Sequence, residues 1–156
     1  MKWSKLKQSV ERSFADGLAK RLTINSAAYG ACTCGHAWLT LDGNVIANFC
    51  TRAHSNREYL GVGEPLNKMY AQQYAGYGEF SRQDAYRACW AFVHDLSIGD
   101  ALRDSDPLVQ TLAIADKRLG KRRLSQIDAE ALHPLARKLL TERIAAEARV
   151  RTSASA

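Results

Sequence analysis

The pair Asp42-Gly43 is the strongest local constraint on how this chain can fold. It separates Ala37-Trp38-Leu39-Thr40-Leu41 from Asn44-Val45-Ile46-Ala47-Asn48-Phe49-Cys50. Both runs are rich in residues that favour extended backbone. Asp-Gly tolerates the positive φ angles of a two-residue type I′ turn, whose twist matches that of paired strands. The two runs are therefore expected to form an antiparallel hairpin. Side chains alternate along a strand, so Ala37, Leu39 and Leu41 share one face, and His36, Trp38 and Thr40 share the other. Leu22-Thr23-Ile24 is a short third strand candidate.

Helical spacing surrounds this sheet. Trp3, Leu6, Val10, Phe14 and Leu18 recur at three- and four-residue intervals, which predicts an amphipathic N-terminal helix ending near Gly17. Downstream, Ser81 with Asp84 and Ser97 with Asp100 have the form of helix starts. Asp106-Pro107 is another, since Asp can cap and Pro suits the first helical position. Leu108, Leu112, Ala115 and Leu119 extend that stripe, with Gly120 as its stop. His133-Pro134 opens a last helix carrying Leu135, Leu139, Leu140, Ile144 and Ala145.

The order is helix, antiparallel strands, then a helical cluster, which is the α+β class. The chain has 156 residues, 46% hydrophobic and 24% charged, an ordinary globular composition. We expect one domain over residues 1–150 and a flexible tail over 151–156. Within that domain, residues 55–80 read as an irregular excursion punctuated by Gly61, Gly63, Pro65, Gly76 and Gly78. Tyr59, Tyr70, Tyr74, Tyr77 and Phe80 make it aromatic, and Asn67–Tyr74 fits a short helix.

No apolar run approaches the roughly 18 residues of a membrane span. The opening Met1-Lys2-Trp3-Ser4-Lys5-Leu6-Lys7 has no continuous apolar stretch like that of a signal peptide. A cytoplasmic location without membrane contact is expected, and with it free thiols at Cys32, Cys34, Cys50 and Cys89.

The net charge of +6 favours anionic partners, nucleic acid or an acidic protein. Its densest focus is Lys117, Arg118, Lys121, Arg122 and Arg123. One account of this cluster is plain solvation, with its cations compensating the negative end of a helix dipole. The other is a binding patch, in which arginine forks match phosphate or carboxylate oxygens. No base-reading motif accompanies it. The helix–three strands–helix order matches a double-stranded-RNA-binding module only superficially, because the 55–80 excursion and the extra helices do not belong to that module.

Cys32, Cys34 and His36, with Cys50 and His54 downstream, form the one group resembling a zinc ligand set. Cys-x-Cys is tighter than the two- to four-residue spacing of zinc ribbons, so small thiols and an exposed His are the favoured account. Cys50 with His36 or His54, and Cys89 with His94, are the possible nucleophile–base pairs. The five-residue separation of the latter sets them on different helix faces. No hydrolase, zincin or P-loop signature occurs. A non-enzymatic binding protein without cofactor is therefore expected. The aromatic segment 59–80 as a protein-interaction surface is one alternative, and a Cys/His-dependent enzyme or zinc protein is the other. Asp116, Glu142 and Glu147 are expected to pair at the surface with cations such as Arg137, Lys138 and Arg143. Asp116 beside Arg118 and Arg122 is the exception, where a partly buried network can fix a helix junction.

Several segments together carry a family likeness. These are the opening Met1–Lys7, Trp38-Leu39-Thr40-Leu41-Asp42-Gly43 with Ile46 and Phe49, Ala115–Leu124, and His133-Pro134-Leu135 followed by Arg143 and Glu147. The chain resembles a family of small bacterial proteins of unknown function, named after a locus tag, from residue 1 to about 148. The resemblance implies a cytosolic protein of bacterial or phage origin. It implies no activity, cofactor or catalytic residue. It also implies no Cys/His-rich segment around Cys32, Cys34 and His36, which counts against a family-wide metal.

Overall fold

A computed structural model describes residues 1–28, 35–50 and 82–154. The chain divides into two compact units, one formed by 22–87 and the other by 1–21 with 88–156.

The first unit holds a three-stranded antiparallel sheet in the order β1 (Leu22–Ala28), β2 (Gly35–Leu41), β3 (Asn44–Cys50). The hairpin turns where expected. Asp42 and Gly43 take φ of 51° and 80°, the left-handed pair a type I′ turn requires. The predicted faces also hold. Ala37, Leu39 and Leu41 are buried together with Leu22 and Ile24 of β1. In register, Leu22 lies opposite Leu41, and Ile24 opposite Leu39. On the other face, Thr23 and Thr40 are cross-strand neighbours whose hydroxyls hydrogen-bond at 2.6 Å, and Asn25 Nδ2 donates to Thr23 Oγ1.

The β2–β3 register shifts between Leu39, opposite Ala47, and Thr40, opposite Val45. Ile46 is thus the extra residue of a bulge. This lets Ile46 and Ala47, adjacent in sequence, both be buried, while Val45 stays exposed. At the end of this unit, Arg82 Nε donates to Ser26 Oγ of β1 at 2.8 Å.

The other unit is helical. α1 (Trp3–Ser13) buries Leu6 and Val10. It stops four residues before Gly17, because Phe14 leaves the helix in extended conformation and bridges to Asp116. Phe14 and Leu18 stay buried without being helical. Gly17 is needed for close approach, since a Cβ there would sit 2.9 Å from the Cβ of Ala146.

α2 (Arg82–His94), which belongs to the first unit up to Arg87, is followed by α3 (Ile98–Arg103), α4 (Pro107–Ala115), the single turn α5 (Lys121–Leu124), a 3-10 turn (Ala129–Ala131) and α6 (Pro134–Ala154). Two of the predicted caps are present, while the start expected at Ser81 lies outside the described residues. Ser97 accepts from the Asp100 amide at 3.1 Å, and Asp106 from Leu108 and Val109 at 2.8 and 3.2 Å.

All nine residues of α4 are buried, Gln110 and Thr111 included. Both polar side chains are satisfied, as burial demands. Thr111 donates to the Pro107 carbonyl. Gln110 donates to the Leu102 carbonyl at 3.1 Å and accepts from the His133 amide at 2.7 Å, tying α3, α4 and the start of α6. α6 buries Leu135, Leu139 and Leu140 but leaves Ile144 49% exposed, so Ile144 lies off the stripe the sequence assigned to it. α6 continues to Ala154, into the segment read as a tail. No helix among the described residues is long and apolar enough to cross a membrane.

Candidate functional site

The candidate site grows from the end of α4. The apolar spacing predicts a helix to Leu119. It ends instead at Ala115, where Asp116 turns extended with φ −71° and ψ 135°. The last carbonyls of a helix lack partners within it. Here neither a glycine cap nor a basic residue of the last turn supplies them.

The donor comes from α6. Arg143 Nη1 donates to the carbonyls of Ile114 and Asp116 at 2.5 and 2.6 Å, and Nη2 to that of Leu119 at 2.6 Å. Its Nε donates to Glu147 Oε1 at 3.2 Å. Arg143 is 2% exposed. Burial holds its pKa below the ordinary value, opposed by the hydrogen bond and charge of Glu147 and by the charge of Asp116.

Asp116 is fully buried. Its Oδ1 accepts from the Arg118 amide at 2.7 Å and from Arg118 Nε at 3.1 Å, and its Oδ2 accepts from Nη2 at 2.9 Å. That hydrogen bonding raises the Arg118 pKa. The Arg118 guanidinium also lies 5.6 Å from the ring centroid of Phe92, within cation–π range.

Two expectations change accordingly. Asp116, Arg143 and Glu147 are not a loose set of surface pairs, since Asp116 and Arg143 are interior. And the cation serving the α4 carbonyls is Arg143, not a member of the 117–123 cluster. The helix-junction network expected at Asp116 forms with Arg118 but not with Arg122, and Arg143 joins it through the backbone.

The same segment is pinned to α1. The Ala15 amide donates to the Ala115 carbonyl at 2.8 Å, and the Lys117 amide to the Ser13 carbonyl at 2.8 Å. Lys117 Nζ donates to the Arg12 carbonyl at 3.1 Å. Residues 115–119 are thus held by α1, by α6 and by Asp116 itself.

This platform presents α5. Leu119 and Leu124 anchor it in the interior. The five basic residues then divide. Lys117 and Arg118 are turned to protein acceptors, and half of the Arg118 side chain stays exposed. Lys121 lies 4.0 Å from Glu147, a long contact from a half-exposed lysine and of small energetic worth. Arg122 and Arg123 are exposed, and neither makes an ion pair among the described residues.

Beside α5 runs a groove of about 300 Å³, lined by Lys121, Leu124 and Ser125 on one side and Ile144, Glu147 and Ala148 of α6 on the other. Sequence reasoning missed it because Ile144 was placed on the core stripe.

The other candidates fare differently. Cys32, Cys34, His54 and the aromatic segment 59–80 lie outside the described residues. His36 and Cys50 are direct backbone partners across β2 and β3. Among the described residues, no group of three or more His, Cys, Asp or Glu is placed to hold a metal ion. Cys89 is buried, and burial pushes its thiol up to about 12, with the charges of Asp106 and Glu11 adding to the shift. A thiol so disposed is not a nucleophile. His94 stacks on Trp90 instead, ring centroids 4.2 Å apart.

No curated protein and no solved structure matches the chain. One family model does, over residues 2–144, a span that includes α1, the sheet, the Asp116–Arg118 pair and Arg143. By that match the chain belongs to the SF0329 protein family.

Proposed function

We propose that this chain is a non-enzymatic binding protein whose basic surface around α5 meets an anionic macromolecule, nucleic acid or an acidic protein. The observation that carries this reading is the exposure of Arg122 and Arg123 on one helical turn, next to Lys121, with no ion pair to either among the described residues. The turn is short, yet its base is fixed by the Asp116 and Arg143 hydrogen bonds, so its charges are presented in a defined place. A turn whose backbone is already held spares that part of the ordering cost on binding. Two neighbours of the same segment, Arg12 and Lys117, extend the positive character. Residues 1–150 act as one functional unit in this reading, supported by a family match that runs without a break from 2 to 144. A cytoplasmic setting completes it, supported by the family resemblance.

The test is retention on a heparin column and a low-salt gel shift with double-stranded DNA. Replacing Lys121, Arg122 and Arg123 together by Ala is expected to leave the circular dichroism spectrum unchanged, since all three side chains are exposed. It should abolish the shift and lower the salt needed for elution. Single replacements of Arg122 or Arg123 by Ala, which retain binding, should each flatten the log K against log salt slope by about 0.9. A wild-type chain that neither binds heparin nor shifts DNA at low salt refutes the reading.

A further inference from the structure

The groove beside α5 makes the partner more specific. We propose that it receives an acidic protein segment bearing an aliphatic or aromatic anchor, with the anchor on the groove floor and its carboxylates on Lys121 and Arg122. This rests on the reading of α5 as an anion-facing surface, and goes beyond it by choosing protein over nucleic acid.

The floor is apolar. Ile144 is 49% exposed there, one of the few large hydrophobic side chains left so in the described residues. Leu124 and Ala148 continue that floor. An apolar surface next to cations suits a segment that alternates anchor and acid.

Helical geometry places the charges. Lys121, Leu124 and Ser125 share the side of α5 that faces the groove, and Arg122 follows Lys121 by about 100° around the axis. Arg123 takes the far side, beyond reach of the same anchor. A carboxylate next to a seated anchor therefore meets Lys121 and then Arg122.

Nucleic acid fits the groove less well. Bases stack on aromatic faces, and no described lining residue is aromatic.

A second copy of the chain is also a poor occupant. The chain carries +6. Glu11, Asp100, Asp116, Glu130, Glu142 and Glu147 already face cations of their own molecule. An acidic partner relieves this imbalance, whereas another copy adds to it.

The experiment is selection of a random-peptide phage library on the full chain, followed by fluorescence anisotropy with the enriched peptides. Enriched peptides are expected to combine an apolar anchor with nearby Asp or Glu. Ile144→Gln should weaken them about tenfold while leaving heparin retention unchanged. Lys121→Ala with Arg122→Ala should weaken both. Peptides lacking acidic residues, or acidic peptides indifferent to Ile144→Gln, would overturn the proposal. A selection that enriches nothing would do the same. In either case, continued heparin binding and a DNA shift would leave the basic-surface reading standing with nucleic acid as the partner. Loss of heparin binding in the wild type would remove both.

Discussion

Replacing Arg143 by Met tests the account of the α4 terminus most directly. Met keeps the apolar stem and removes the guanidinium. Three carbonyls, of Ile114, Asp116 and Leu119, then lose their donor, and the Glu147 carboxylate loses its nearest cation. A stranded buried acceptor costs about 1–3 kcal/mol. Deleting one partner of a buried charge pair costs about 3–5 kcal/mol. These effects share one side chain and do not add. Some carbonyls also regain water, so the expected loss is about 3–5 kcal/mol.

An apolar substitution cannot recover this by repacking, because the acceptors are backbone groups that no mutation deletes. For a chain of this length, about 2–4 °C of melting temperature accompanies each kcal/mol, so the midpoint should fall by roughly 6–20 °C. Urea unfolding followed by circular dichroism measures the loss directly, with an unchanged m-value showing that stability alone has moved. Arg143→Lys should fall between the two, since one ammonium keeps the charge but cannot span acceptors on both sides as the planar fork does. A Met variant within about 0.5 kcal/mol of wild type, the range of an ordinary surface substitution, would refute the reasoning.

Two further outcomes follow from packing and titration. Gly17→Ala brings two Cβ atoms to 2.9 Å, and should cost about 1–3 kcal/mol by overpacking. Adding Ala146→Gly should recover most of it, and a double-mutant cycle with no coupling would disprove the contact. The Cys89 thiol, raised from 9.0 to about 12, should resist iodoacetamide at mildly alkaline pH in the native chain and react once unfolded, as peptide mass spectrometry can read. The sign for stability follows. Between those two values the unfolded chain gives up the Cys89 proton first, so the contribution is whole below pH 9 and falls as pH rises toward 12. A Cys89→Ser variant with the same alkaline slope would contradict it.

Much of the fold was legible because its signals are local. Asp42-Gly43 dictates its own turn from two residues. Ser97 and Asp106 announce caps because their side chains reach amides two or three positions on. The alternation in β2 names the buried face without knowledge of what covers it.

The features that were not legible are those made by distant parts of the chain meeting. By residue type alone, Arg143 is one helical cation among Arg137, Lys138 and itself. Two clues were present all the same. Arg143 continues the Leu135–Leu139 spacing, so it sits on an apolar stripe where a charge demands partners. And Ala113-Ile114-Ala115-Asp116 offers neither a glycine nor a cation to close a helix. The end of α4 was misplaced because Leu119 keeps helical spacing while being buried for another reason, as the anchor beneath α5. Ile144 was misassigned in the opposite sense, an apolar residue near a core stripe that lies outside it.

The complete enclosure of α4 has a consequence for how tolerance to change should be distributed along the gene. An amphipathic helix shows a beat in a saturation-mutagenesis map, permissive and forbidding positions alternating with the helical repeat. Pro107 to Ala115 should show no such beat, only an unbroken forbidding band in which even Gln110 and Thr111 resist exchange. Exposure resumes at Lys117 and Arg118, whose side chains still bond to protein acceptors, and freely permissive positions should begin at Gly120, where the basic turn starts.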